Sequence, residues 1–377
     1  MRNLFFYGTL RDTELLSVVL GREPVEIDMV PAGLPGYAVT GVAGREFPFA
    51  RKQAGAVAEG LLVRGLSAAD IARLDYYEGA FDYALVTETV ETPSGPEPAE
   101  IYLSAPGAWQ PEGPWSLEAW QLRDGGVSVE AAREVMGYFG TRPAAEVLAN
   151  ITTIRTRALS RLAARDHPPV RLRRGYGLAD VETVSTKRPY LKYFALEERR
   201  LRHRRFDGEM SAEIERATFC LQDAVTVLPY DPGLDRVLLI EQFRAAPLSR
   251  GDPVPWCLEA IAGRRDEGES FAQTARREAR EEAGVTLGSL EQVARYYPSP
   301  GAVSEYLVSF VGLADLAGYG EKHLGLASEH EDIRAFTLSW PAFDAAIDSG
   351  ELENGPLLLT AHWLRANRPR LRTASSP

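Results

Sequence analysis

The sequence predicts an α+β protein of two domains, the second with α/β character, and three observations carry that expectation. The chain has 377 residues, whereas one compact domain commonly takes about 100–200, so two units that each bury a core are expected. Short strand-like runs punctuated by glycine and proline fill the first part of the chain and return after residue 168, with helical spacing between them. Inside the second strand-rich region stands a single long helical signal, Ser270 to Ala283, with its own start and stop chemistry.

Taken in order, Leu4 to Tyr7, Ala56 to Val63, Leu85 to Val90 and Glu100 to Leu103 read as strands, and Thr92-Pro93-Ser94-Gly95-Pro96-Glu97-Pro98 as a hairpin loop. The apolar run after Met1-Arg2 stops at Gly8-Thr9 with no small-residue cleavage site behind it, so it reads as a first strand and not a signal peptide. From Ser116 to Ala164 the spacing turns helical, through Ala131, Val135, Met136, Val147 and Ile154. His167-Pro168-Pro169 breaks the helices, which sets a first domain over 1–125, a helical connector over 126–167 and a second domain over 168–370. In the second domain Ala224 to Leu228, Arg236 to Glu241 and Tyr306 to Val311 suit buried strands, and the tail from about Arg368 reads as disordered.

Composition excludes several classes of function. A formal charge of −11 argues against a general nucleic-acid binder, since lysine and arginine supply most phosphate affinity. The stretch from Arg155 to Arg205 departs from that balance and reads as a solvated or subunit-facing basic surface. No apolar run is long enough to span a membrane, and Cys220 and Cys257 lack zinc or redox spacing, so buried free thiols in a soluble cytoplasmic protein are expected.

The helix Phe271 to Ala283 carries the chemistry. Ser270 with Gln273 forms a capping box, and Gly284 sits where a glycine ends a helix. At 100° per residue, Glu278, Glu281 and Glu282 fall within about 100° of one another, beside a face of Ala272, Ala275, Ala279 and Ala283. Three carboxylates on one face repel unless a cation sits among them. A hard dication such as Mg²⁺, which prefers oxygen ligands, answers that need; a solvated Glu/Arg helix is the structural alternative.

The wider pattern decides between these. Gly263, Glu269, Arg277-Glu278, Ala279, Glu281-Glu282, Gly284 and Val285 match GX5EX7REUXEEXGU, U being apolar, at every specified position, and the chain here resembles the Nudix hydrolases. The resemblance implies an α/β/α sandwich around a mixed sheet, and a loop-helix-loop that holds Mg²⁺, or Mn²⁺ in its place. It further implies Glu278 and Glu282 as principal metal ligands, with Glu281 close by and the Ala262 carbonyl as a further one. Glu269 is expected to pair with Arg277, and Gly263 and Gly284 to shape the loops.

Flanking residues bear on the substrate. Val237 to Arg244, Leu258 to Gly263 and Tyr297-Pro298-Ser299-Pro300-Gly301 resemble ADP-ribose pyrophosphatases, including a subgroup associated with tellurite resistance. That resemblance implies Arg244 as a phosphate clamp and Gly325 to Ile333 as a loop bringing a catalytic glutamate, Glu331 before Glu329. Tyr190 to Ser211 resembles the extra strands through which such enzymes form homodimers, and Tyr193, Phe194 or Trp256 are candidates to stack on adenine. The expected reaction is hydrolysis of ADP-ribose to AMP and ribose 5-phosphate. The alternatives are another nucleoside diphosphate substrate, GDP-mannose or NADH, and a non-catalytic sensor of ADP-ribose.

At the chain start, Phe6-Tyr7-Gly8-Thr9-Leu10-Arg11 places a glycine turn after a strand, where backbone N–H groups can face a carboxylate. Together with Gly36-Tyr37, Phe47-Pro48, Leu74 to Gly79 and Phe81-Asp82-Tyr83, this resembles the γ-glutamylcyclotransferase-like (AIG2-like) family, a small β-barrel with helices. The resemblance implies Glu78 as acid and base, and Tyr7, Gly8, Thr9 and Leu10 as the holder of a γ-glutamyl compound. A barrel kept only for binding or docking is the alternative.

Overall fold

The computed structural model describes residues 1–79, 83–105, 107–165, 171–326 and 330–374. Two compact units emerge, Met1–Gly175 with Leu191–Tyr193, and Tyr176–Tyr190 with Phe194–Pro377.

In the first unit the strands are β1 (Arg2–Phe6), β2 (Met29–Val42), β3 (Pro48–Leu66), β4 (Tyr83–Thr92), β5 (Gly95–Ser104) and β6 (Pro111–Pro114). Their order β3-β1-β5-β4-β2 closes through a β2–β3 pairing into a five-stranded barrel, with β6 appended to β2. Alternation along β1 explains the packing. Phe5 and Tyr7 share a core with Leu34, Leu62, Val90 and Ile101, whereas Leu4 and Phe6 point the other way. The helices are α1 (Thr13–Leu20), α2 (Ala68–Glu78), α3 (Leu117–Trp120), α4 (Gly126–Met136), α5 (Ala144–Leu148) and α6 (Ile151–Ala163), with a π-helical turn at Gln121–Gly125 joining α3 to α4.

Two expectations change here. The helices set apart as a connector belong to the first unit: Val129, Ala132 and Met136 of α4 share one core with Leu4, Phe6 and Val63 of the barrel. The loop expected over 92–98 is mostly strand, since β4 and β5 pair up to Thr92↔Gly95 and leave only Pro93-Ser94 in the turn. Pro96 and Pro98 sit in β5, where β1 pairs only at Leu4↔Glu100 and demands no N–H from them. The boundary residues His167-Pro168-Pro169 lie outside the described residues.

The second unit opens with a three-stranded sheet of β7 (Val181–Leu191), β8 (Ala195–His203) and β9 (Ile214–Cys220). The main sheet is built from β10 (Ala224–Asp231), β11 (Arg236–Phe243), β12 (Trp256–Glu259), β13 (Ile261–Arg264), β14 (Leu290–Tyr296), β15 (Leu307–Leu313), β16 (Lys322–Leu324) and β17 (Ile333–Ser339). Its path is β14-β15-β10-β11-β17-β16, with β12 on β11 and β13 on β10; β10 and β15 are parallel and the other pairs antiparallel. The helices are α7 (Ala245–Arg250), α8 (Phe271–Ala283), α9 (Trp340–Ser349) and α10 (Gly355–Ala374).

Strand alternation distributes the two faces. Val225, Val227, Leu238 and Ile240 meet Ala275, Ala279 and Ala283 of α8, while Leu228, Tyr230, Val237 and Leu239 meet Phe343, Leu357, Ala361 and Leu364 of α9 and α10. This is a mixed sheet between helical layers, as expected. From Arg368 to Ala374 the chain is helical and not disordered, because Leu371 is buried, Arg368 and Arg372 both bond Asp235, and Arg370 reaches Glu291 at 2.9 Å; residues 375–377 lie outside the described residues. In the basic stretch many arginines are paired with acids. Arg157 and Arg161 pair with Glu134, Arg188 and Arg199 with Glu197, Arg200 with Glu213, and Arg204 with Asp180. Cys220 and Cys257 are free and half-buried, less enclosed than expected.

Candidate active sites

Helix α8 begins and ends as its sequence requires: Ser270 accepts from the Gln273 N–H within a capping box, and Gly284 takes a left-handed φ of 60°. Ala275, Ala279 and Ala283 lie fully buried on the sheet and Ala272 is half-buried, which brings Glu278 and Glu282 inward to 9% and 3% exposure. The preceding strand β13 passes so close that a Cβ on Gly263 would stand 1.9 Å from Glu278 Oε1. Any side chain at 263 would therefore force the Glu278 carboxylate to move.

Arg277 organises the loop and the helix together. Its Nε and Nη2 donate to Glu269 at 3.0 and 3.1 Å, Nη2 also reaches the Arg264 carbonyl at 3.0 Å, and Nη1 donates to Glu278 Oε1 at 2.8 Å and Glu281 Oε2 at 3.0 Å. The expected Glu269–Arg277 pair is present. Glu282 Oε2 accepts from the Ala262 N–H at 3.2 Å, so Ala262 meets this carboxylate through its amide. Burial, partly offset by Arg277, pushes Glu278 up to about 7. Burial and then the neighbouring Glu278 raise Glu282 well above the carboxylate range, and Glu331 adds to both.

The three helix carboxylates are not gathered into one cluster. Glu281 turns to Arg277 while Glu282 turns to Ala262, and among the described residues no group of three or more acids, histidines or cysteines stands ready to hold a metal ion. The donor set nevertheless fits a hard dication. Glu278 and Glu282 are buried carboxylates one helical turn apart, Glu278 raises the cost of ionising Glu282, and Glu331 is near enough to act on both.

Beyond the box, β11 and β12 set Arg244. Its guanidinium donates to Glu259 at 2.6 to 3.1 Å while its side chain stays 40% exposed. Glu259 is buried and also accepts from Gln242 and Asn354, each at 3.1 Å. The sequence singles out none of these three; strand pairing of Gln242 with Cys257, close to Glu259 on β12, is what brings them together. Trp256 lies beside Arg244, paired in register with Phe243 and 55% exposed. Phe194 packs instead between Tyr190 and Phe219, and Tyr193 is exposed.

Glu331 is partly buried after a positive-φ His330, and its carboxylate and N–H bond the Leu326 backbone across a left-handed Gly325. Glu329 lies outside the described residues. Pro300 stands in the exposed turn between β14 and β15.

The first unit holds a cavity of about 340 Å³ lined by Tyr7, Gly8, Thr9, Leu10 and Glu78. Glu78 ends α2, and its carboxyl is pushed up to about 7 by the burial the cavity imposes. The Tyr7 hydroxyl donates to the Tyr102 carbonyl at 2.9 Å and the Tyr102 hydroxyl to Asp75 at 2.6 Å, which fixes the aromatic wall. Burial and then the Glu78 charge keep Tyr7 protonated. Gly8 lies against Pro48. The fold thus brings the turn and Glu78 to one cavity, although they are distant in sequence.

Each unit, one with a loop-helix-loop of carboxylates on a mixed sheet and one with a glutamate in a barrel-side cavity, matches a known family. A NUDIX domain model matches residues 221–359, and a model described as gamma-glutamyl cyclotransferase, AIG2-like, matches residues 4–121. The chain is 38% identical over 197 residues to the ADP-ribose pyrophosphatase of Escherichia coli strain K12, covering 52% of this chain and 93% of that one. With the ADP-ribose pyrophosphatase of Haemophilus influenzae the identity is 32% over 195 residues, 51% of this chain and 89% of the relative. The GDP-mannose pyrophosphatase of Citrobacter koseri is 31% identical over 145 residues, 38% of this chain and 74% of that protein. A solved structure titled "Crystal structure of ADP compounds hydrolase" aligns at 18% identity and TM-score 0.39, over 51% of this chain and 98% of the other. The chain belongs to the Nudix hydrolases and carries an AIG2-like γ-glutamyl cyclotransferase domain at its N-terminal end.

Proposed function

We propose that the second unit hydrolyses ADP-ribose to AMP and ribose 5-phosphate with Mg²⁺ as its metal. The observation that carries this reading is the likeness to ADP-ribose pyrophosphatases over 197 residues, a span longer than the Nudix match itself. Water adds to one phosphorus of the diphosphate, the bridging P–O bond breaks, and each product leaves with one phosphate. Glu278 and Glu282, with the Ala262 carbonyl, would hold the metal, which supplies Lewis-acid stabilisation of the charge that develops on the phosphates. Glu331, or Glu329 in its place, would accept the proton of the attacking water. Arg244, oriented by Glu259 and half open to solvent, would bond a phosphate oxygen, and Trp256 would stack on the base. Glu269, Arg277, Gly263 and Gly284 hold the geometry. The three-stranded sheet β7–β9 exposes Val181, Val184 and Phe219 and is proposed as the homodimer surface of a cytoplasmic enzyme.

The test is a panel of ADP-ribose, GDP-mannose and NADH with phosphomonoester products read out. ADP-ribose is expected to turn over fastest, and equal or faster release from GDP-mannose would move the assignment to that substrate. Glu282→Gln is expected to lower kcat by about 100-fold or more. Unchanged hydrolysis in that variant would remove Glu282 from the site, and no hydrolysis by the unaltered protein would favour a sensor.

A second reading concerns the first unit, favoured by the Glu78 cavity. A γ-glutamyl amide would cyclise there: the substrate amine attacks its own side-chain carbonyl, the amide C–N bond breaks, and 5-oxoproline and a free amine leave. Glu78 would take the proton from the attacking amine and return it to the leaving nitrogen.

A further inference from the structure

The cavity of the first unit is closed by residues that the γ-glutamyl cyclotransferase match does not reach. That match ends at residue 121, yet Ser128 and Val135 of α4 and Thr152 and Arg155 of α6 line the cavity with Tyr7 and Glu78. Helix α6 is tied to α4 by a buried ion pair. Arg157 and Glu134, with side chains 2% and 3% exposed, bond at 2.5 Å, and Arg161 closes on Glu134 at 2.8 Å. Ile154 and Ala158 are fully buried on the same helix.

Arg155 is therefore fixed at the wall. Its side chain is 16% exposed and bonds Glu46 at 3.1 Å and the Ser128 hydroxyl at 3.3 Å. Glu46 is 44% exposed and sits between β2 and β3. Of the cations lining the cavity among the described residues, Arg45 is exposed and Arg155 is enclosed. A ligand carboxylate arriving at this end of the cavity can replace Glu46 on Arg155 without leaving either charge unsolvated, because Glu46 already faces water. The volume suits a dipeptide-sized molecule.

We propose that α4 and α6 form a substrate-selecting wall, in which Arg155 binds a carboxylate on the amine part of a γ-glutamyl amide. The domain then prefers γ-glutamyl amino acids to γ-glutamyl amines. This rests on the γ-glutamyl reading of the first unit, and Arg155 is a specificity residue that takes no part in the proton transfers.

The test compares γ-glutamyl-alanine with γ-glutamyl-ethylamide, which differ by one carboxylate. Titration calorimetry on the full chain, with Glu78→Gln as parent to block turnover, is expected to give at least about tenfold tighter binding of the alanine compound. Adding Arg155→Met should bring the two affinities within about threefold of each other and leave that for the ethylamide unchanged. Adding Glu46→Gln instead should tighten the alanine compound severalfold, since it removes a carboxylate that competes for Arg155 from an exposed position. Equal binding of both probes by the parent, discrimination that survives Arg155→Met, or no gain from Glu46→Gln overturns the role of Arg155 and leaves the γ-glutamyl reading standing. Should Arg155→Met fail to fold, the Glu46→Gln outcome decides alone. Binding of neither probe by the unaltered protein overturns both.

Discussion

Space and charge decide what individual residues do in this chain. At Gly263 the constraint is steric, because the first atom of any side chain would overlap Glu278. Gly263→Ala is expected to displace that carboxylate, costing about 1–3 kcal/mol in stability by overpacking. The same change should lower hydrolysis of ADP-ribose more than it raises KM; a variant with full kcat would separate the glycine from the site. At Glu78 the constraint is desolvation, and it gives stability a definite pH dependence. The folded-state value of about 7 lies above the ordinary glutamate value, so the folded protein binds the extra proton between roughly pH 4.5 and 7. Stability from this group is therefore present below that window and lost as pH rises through it. Glu78→Gln removes the dependence. Relative to the unaltered protein, its first unit is expected to gain about 1–2 kcal/mol on going from pH 5 to pH 8, after allowance for partial solvent screening. Calorimetric melting at both pH values checks this, and a difference that does not change with pH would contradict the desolvated state of Glu78.

At the scale of elements, helices that carry function are held by features outside their own sequence. The capping box and Gly284 set the length of α8, but which of its faces is buried follows from the sheet beneath it. Its carboxylates are then sorted by neighbours: Glu282 meets the Ala262 N–H, while Glu281 is drawn to Arg277. Helix α6 is fixed to α4 by a buried ion pair, and removing one partner leaves the other charge stranded. Glu134→Ala is expected to destabilise the first unit by about 3–5 kcal/mol, against little change for Glu134→Ala combined with Arg157→Met. Equal melting of single and double variants would show that the pair does not hold the helices. Strands β11 and β12 act similarly on Arg244, presenting Glu259 to it from the neighbouring strand.

For the whole molecule, the division into two compact units predicts two separable chemistries. Chelation of divalent metal is expected to abolish phosphomonoester release, with recovery on excess Mg²⁺, and to leave ligand binding in the first unit unaltered. Mg²⁺ at about 100 times its dissociation constant should add close to 2.7 kcal/mol to the second unit, read as a rise in one melting transition only. A matching rise in the other transition would mean that the metal acts on both.

Much of the second site is legible in the amino-acid sequence alone. The spacing of Gly263, Glu269, Arg277, Glu278 and Glu282 is local, lying within one strand, loop and helix, and local geometry follows rules that sequence states directly. The bounds of α8 and the alternation of the buried strands are of the same kind. What tertiary structure alone decided depends on residues far apart in the chain. Glu259, Gln242 and Asn354 meet around Arg244 only because strands pair and the chain just ahead of α10 folds back beside them. The tail as far as Ala374 is helical because Leu371 finds a core and Asp235 gathers two arginines, neither of which its own composition announces. Helices α4 and α6 read as a connector because their spacing reveals an apolar face but not its partner. That partner is the barrel, and the same packing brings Arg155 to the wall of the Glu78 cavity.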